Sequence, residues 1–261
     1  MNFLALLSFA SAFGIIGWAA MSSTDNPRTF LDPHGMVIVF GGTIAATAIS
    51  FQLDRTILMA KVFWARTVRS KSVNFAGLIR ELMKIADAYR NESSDLKSLV
   101  ESSQDAFLKE GMGLFLDEVV DVEQLGTLLK QRNTTIYERY SADAGKFRAM
   151  GKYPPAMGLM GAVLGMIALL SGLGQPGAEK TIGPSMSIAL VATLYGIALA
   201  NLIVIPIGEN LTEAAKEVKR KNVIIIEGIR LIAAKTNPIV LAEELNSFLL
   251  PKERIDWKNI G

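Results

Sequence analysis

From Pro154 to Leu173 the chain runs without one charged side chain. A helix of about 20 such residues is about 30 Å long, the thickness of a bilayer's hydrocarbon core. Three further stretches reach or approach that length: Phe3–Ala20, Met36–Leu53 and Ile182–Ile207. The second is short and carries Thr43, Thr47 and Ser50. The first has no Lys or Arg ahead of its apolar core and outruns a secretory signal core, so a retained span is expected rather than a cleaved leader. The expected fold class is an all-α integral membrane protein, with four transmembrane helices and a large helical cytoplasmic domain.

Charge sets the orientation. Arg28 stands alone in the first short connection and Lys180 alone in the third, whereas Lys and Arg crowd the segment between spans two and three and the segment after span four. By the positive-inside rule those two segments, and with them both termini, are cytoplasmic. The expected organisation is spans one and two in residues 1–53, a cytoplasmic helical domain in 54–152, spans three and four in 153–207, and a helical C-terminal extension in 208–261. In the middle block apolar residues recur at helical spacing, with Ser93–Ser94 and Gly111 as candidate breaks. The last span runs on into "GENLTEAAKEVKRKNVIIIEGIRLIAAK"; Asn237–Pro238 ends that helix, and "IVLAEELNSFLL" forms a final short one.

Composition removes several functions. The chain has no cysteine and a single histidine, His34, so thiolate sites and paired-histidine zinc sites are excluded. A formal charge of only +2 leaves no unbalanced basic domain for nucleic acid. No GxxxxGK[ST] loop occurs, so no nucleotide or other cofactor is called for. No span contains a nucleophile–base or metal-ligand pair, and an intramembrane enzyme is a weak reading.

Small residues mark the packing faces. Pro155, Gly158, Ala162 and Gly165 fall on one narrow face of span three, and Ala192, Gly196 and Ala200 repeat every four residues in span four. Packing within one four-helix unit and packing around a central partner both fit this spacing. No Asp, Glu, Lys, Arg or His lies within the four spans, although such residues normally mark ion pathways. Any titrating group must therefore come from a partner. The spans themselves offer the Thr193 hydroxyl and carbonyls freed by Pro155 and Pro206. Both prolines also fit simple helix-boundary roles, and Tyr195 and Asn201 fit helix contacts.

"FLDPHGMVIVFGGTIAATAISF", "PPAMGLMGAVLGMIALL", "SMSIALVATLYGIALANLIVIPI" and "EGIRLIAAKTNPIVLAEELNSFLLPKER", in this order around a long charged segment, resemble the flagellar stator A-subunit family, MotA in proton-driven and PomA in sodium-driven motors. The resemblance implies a homo-pentamer in the bacterial inner membrane, embedded in lipid. That ring surrounds a dimer of a B-subunit, whose membrane helix carries the ion-binding aspartate. It further implies that ion flow turns the ring and that the cytoplasmic domain drives the flagellar rotor switch protein, without enzyme activity. Residue by residue, the family's coupling prolines correspond to Pro155 and Pro206, and its span-four threonine to Thr193. Sodium-type members have threonine where this chain has Ala162. A methyl group gives a hard cation no oxygen ligand, which argues for protons.

One stretch departs from the family. Where members carry "RxxGLLALE" for the rotor contact, this chain reads "YRNESSDLKSLVE": Arg90 is kept, Lys97 stands in the glutamate's place, and Glu101 is displaced. The resemblance thus implies a rewritten rotor contact at Arg90, Lys97 and Glu101, or a motor driving something other than a standard rotor. A solvated helix face accounts for any one of these charges. The neighbouring alternative is an ExbB/TolQ-type energiser of outer-membrane processes. That type has three spans, and the extra "GGTIAATAISF" span and the C-terminal tail favour the stator. A passive multi-span scaffold is the remaining alternative.

Overall fold

The computed structural model describes residues 3–51, 54, 57, 58, 61, 73–174, 176 and 179–256, with the side chains of residues 3–6 excepted. All regular structure among the described residues is helical. In order the helices are α1 (Phe3–Ser22), α2 (Pro33–Met36), α3 (Gly42–Ser50), α4 (Phe75–Arg90), α5 (Leu96–Ser102), α6 (Ala106–Leu116), α7 (Val122–Met150), α8 (Tyr153–Gly172), α9 (Glu179–Leu199), α10 (Ile205–Ala233) and α11 (Pro238–Asn246). A π turn, Val37–Gly41, joins α2 to α3, and a second, Ala200–Val204, joins α9 to α10. Among the described residues three helical stretches are long and apolar enough to cross a membrane: Pro27–Ser50, Val122–Gly172 and Glu179–Ala233. The end expected for span two at Leu53, and most of the helix expected from "DRTILMAKVFWARTVRS", lie outside the described residues.

The chain divides into two compact units, Met1–Lys71 with Ser141–Glu213, and Ser72–Tyr140 with Ala214–Gly261. The first holds α1 to α3, α8 and α9. Its core brings Ala144, Phe147 and Met150 of α7 onto Val204, Ile207 and Leu211, where the last span continues into α10. Close approach is needed here: a Cβ on Gly208 would lie 3.1 Å from the Arg148 nitrogen, and one on Gly151 would lie 2.7 Å from Ile205.

The second unit buries a larger apolar core, including Ile79, Leu82 and Ile85 of α4, Leu108 and Met112 of α6, Leu125 and Leu129 of α7, Ile225 and Ile229 of α10, and Leu241 and Leu245 of α11. Gly111, a candidate break in the sequence, is instead buried within α6, where a Cβ would lie 2.6 Å from Ile229. Its small size serves packing between helices. The expected break at Ser93–Ser94 does fall between α4 and α5. α10 ends at Ala233, ahead of Asn237–Pro238, and Asn237 instead caps α11 by accepting from the Ile239 amide at 2.9 Å.

Polar contacts pin the unit's connections. Asp105 caps α6 by accepting from the amides of Phe107 and Leu108, and it pairs with Lys221. Arg220 donates to the Phe248 carbonyl at 2.8 Å and to Glu253 at 2.8 Å, tying the C-terminal turn to α10. Asn246 exchanges two hydrogen bonds with the Ile255 backbone. The Glu227 hydrogen bond and charge, with Glu244 adding at longer range, hold Arg230 above the ordinary arginine value despite some desolvation.

Candidate functional site

Glycine decides how closely α8 and α9 approach. A Cβ on Gly196 would overlap the Pro154 carbonyl, one on Gly158 would lie 2.9 Å from the Ala192 carbonyl oxygen, and one on Gly165 would lie 3.0 Å from Ala189. Without side chains between them the backbones meet directly, which is how membrane helices gain packing energy when lipid and leucine are equally apolar. The buried residues of α8 are Pro154, Gly158, Gly161 and Gly165. The face expected from the sequence is therefore rotated: Pro155 and Ala162 flank the seam half-buried instead of lying in it. Glycine at both 158 and 161 made the register ambiguous, and only contact with α9 resolves it.

Thr193 lies beside this seam, half-buried. Its hydroxyl donates to the Ala189 carbonyl at 3.1 Å, and the Gly158 carbonyl lies at 3.5 Å. Donating its one proton to backbone leaves the hydroxyl's lone pairs free to accept from water or to face a cation. The seam therefore places one oxygen from each of two helices, Thr193 of α9 and Gly158 of α8, at one point. The exposed face beside it carries Leu190, Leu194 and Ile197 and ends at Asn201, whose amide donates to the Ile197 carbonyl at 3.0 Å.

The two prolines have different local roles. Pro155 sits in the first turn of α8, where amides have no intrahelical acceptor, so it removes no hydrogen bond. Pro206 lies two residues after the π turn Ala200–Val204 inside a continuous helical run. A wider turn accommodates a ring that would clash with the carbonyl of a regular preceding turn. Because Gly151 meets Ile205, both prolines lie at the same end of the α8–α9 pair.

Two features were missed from the sequence. Tyr195, left open between roles, donates its hydroxyl to the Phe30 carbonyl and accepts from the Asp32 amide at 3.3 Å. It thus holds the segment before α2, where Asp32 caps the helix by accepting from the Gly35 amide at 2.7 Å. The other is Tyr153, which donates to the Ser50 hydroxyl at 2.8 Å and joins the end of α3 to the start of α8. A lone tyrosine in an apolar run gives no sign of its acceptor. Arg90, Lys97 and Glu101 lie in the second unit, all exposed, with no ion pair among the described residues.

A chain whose described residues form only helices, with membrane-length apolar stretches packed through glycine, has the build of a multi-span membrane protein. Residues 99–222 match the model of the MotA/TolQ/ExbB proton channel family. It is 29% identical over 253 residues to the chemotaxis protein PomA of Vibrio alginolyticus, covering 93% of this chain and 96% of that one. It is 29% identical over 255 residues to motility protein A of Borreliella burgdorferi, covering 97% and 96%. The solved flagellar MotAB stator complex from Bacillus subtilis contains a chain that superposes with a TM-score of 0.86 at 25% identity, covering 97% of this chain and 99% of that one.

Proposed function

We propose that this chain is the A-subunit of a flagellar motor stator, which takes its ion-binding acid from a partner and converts ion flow into torque. The observation that carries this reading is Thr193: a hydroxyl with free lone pairs beside the Gly158 carbonyl, in spans that carry no acid of their own. An incomplete site of this kind suits a carboxylate delivered by another helix. The partner is a B-subunit dimer, with five copies of this chain around it in the bacterial inner membrane. α1 supplies the fourth span of each copy, and both termini are cytoplasmic. Similarity to the MotAB complex along nearly the whole chain supports this assembly over the ExbB/TolQ alternative.

In this reading Pro155 and Ala162, half-buried beside the seam, face the partner helix, and Pro206 with its π turn transmits the motion to α10. Ala162 adds no oxygen, so the ion is a proton. Arg90, Lys97 and Glu101 meet the rotor switch protein, with Lys97 changing the sign of one contact. A motor driving a different rotor is the reading that this change alone favours.

Swimming tests the proposal, in a motile host that lacks its own stator and expresses this chain with its B-subunit. Swimming persists in sodium-free buffer, stops with a protonophore, and is lost in Thr193→Val at normal protein level. Unchanged swimming of Thr193→Val would overturn the role of the hydroxyl, and dependence on sodium would overturn the proton assignment.

A further inference from the structure

Thr43 and Thr47 lie one turn apart on α3, 7% and 4% exposed, and neither hydroxyl has a hydrogen-bond partner among the described residues. Each is flanked by exposed residues, Ile44 and Ala45 on one turn and Ala48 and Ile49 on the next, so the two share the one buried face. That face packs on α8: a Cβ on Gly42 would lie 2.5 Å from the sulfur of Met157. Three residues beyond Thr47, Ser50 accepts from Tyr153 at 2.8 Å and continues the row of hydroxyls to the helix end. The π turn Val37–Gly41 precedes Thr43, and such turns concentrate at functional sites.

We propose that Thr43 and Thr47 hold internal water between α3 and α8, in a hydroxyl-lined passage that opens at Ser50 and Tyr153. A buried hydroxyl with no partner is costly, and proteins satisfy such groups with backbone or with ordered water. Water suits this place because it both donates and accepts, whereas an anion or a bare cation would match only half of each hydroxyl's capacity. The passage is separate from Thr193, which already donates to backbone on α9. Its use as an exit for protons rests on the stator reading; the water itself does not.

A chain without native cysteine makes the test clean. Thr43→Cys and Thr47→Cys are compared with Ile44→Cys and Ala48→Cys in the full complex in native membranes, using 2-aminoethyl methanethiosulfonate as probe. Only a thiol that meets water ionises and reacts. The cysteines at 43 and 47 are expected to label at least tenfold faster than those at 44 and 48. Equal or slower labelling would overturn the proposal. If the cysteine variants fail to assemble, the isosteric pair Thr43→Val and Thr47→Val decides through thermal unfolding of the solubilised complex. Loss of held water lowers the midpoint, whereas a dry seam gains from losing two orphan hydroxyls, so an unchanged or raised midpoint would overturn it. Neither measurement shares a readout with swimming, so this inference and the stator reading fail separately.

Discussion

Gly196 carries more structural information than any charged residue in the membrane-length helices. An added methyl would meet the Pro154 carbonyl oxygen, which belongs to a backbone and cannot rotate away. Gly196→Ala should therefore force α8 and α9 apart and cost about 3 kcal/mol, the upper end of overpacking penalties. Gly126 lies on α7 with nothing within 4 Å of the corresponding position. Gly126→Ala should stabilise by roughly 0.5–1 kcal/mol through helix propensity alone. Thermal unfolding of the two variants in detergent checks the pair, and equal midpoints would show that the seam is loose. The same scale shows what could be read in advance. Small residues at helical spacing marked a packing face on each of spans three and four, but not that the two meet, nor whether Pro155 and Ala162 or Pro154 and Gly161 filled the contact. Thr43, Thr47 and Tyr153 were visible only as polar residues in or beside apolar runs, because a hydroxyl's partner is a property of the fold.

At the scale of elements, α4, α6 and α10 all end in the same way. Glu92, Glu118 and Lys235 each take a left-handed conformation with φ near 51°. The amide of the residue after each reaches back five residues, as in Ser93 to Ala88, Val119 to Leu114 and Thr236 to Leu231. These are Schellman terminations built without glycine, so no stop signal stands at those positions, while Ser93–Ser94 and Asn237–Pro238, one to three residues downstream, are conspicuous. Left-handed geometry costs a residue with a Cβ about 1–2 kcal/mol. Glu118→Gly recovers part of this, less the extra freedom that glycine has when unfolded, and should stabilise by roughly 0.5–1 kcal/mol. For a chain of this size the unfolding midpoint should rise by about 2–4 °C per kcal/mol. A lower midpoint would show that the Glu118 side chain contributes more than its backbone strain costs. Helix starts were more legible than ends. Asn237 and Asp105 cap with short polar side chains whose preference is local.

For the whole molecule the decisive quantity is apolar surface that the chain cannot cover by itself. Leu159, Ile167 and Leu170 on α8, Leu190 and Ile197 on α9, and Ile15 and Trp18 on α1 are all at least half exposed. Contiguous patches of this kind do not persist in water, and they mark contact with lipid or with other chains. Lipid satisfies the bulky side chains equally well on every face. It does not fill the half-buried strip at Pro155 and Ala162, beside the Thr193 hydroxyl, where small side chains leave room for a close-packed helix. In the proposed stator each copy turns its bulky surface outward and its small, oxygen-bearing surface toward a shared axis. Native mass spectrometry of the complex, solubilised with its B-subunit, should give five copies of this 28.3 kDa chain with two of the partner. Gly158→Leu, which places a branched side chain against the α9 backbone, should abolish that species without removing the chain from the membrane. A species holding one or two copies, or a ring that survives Gly158→Leu, would mean that the α8–α9 seam does not shape the assembly.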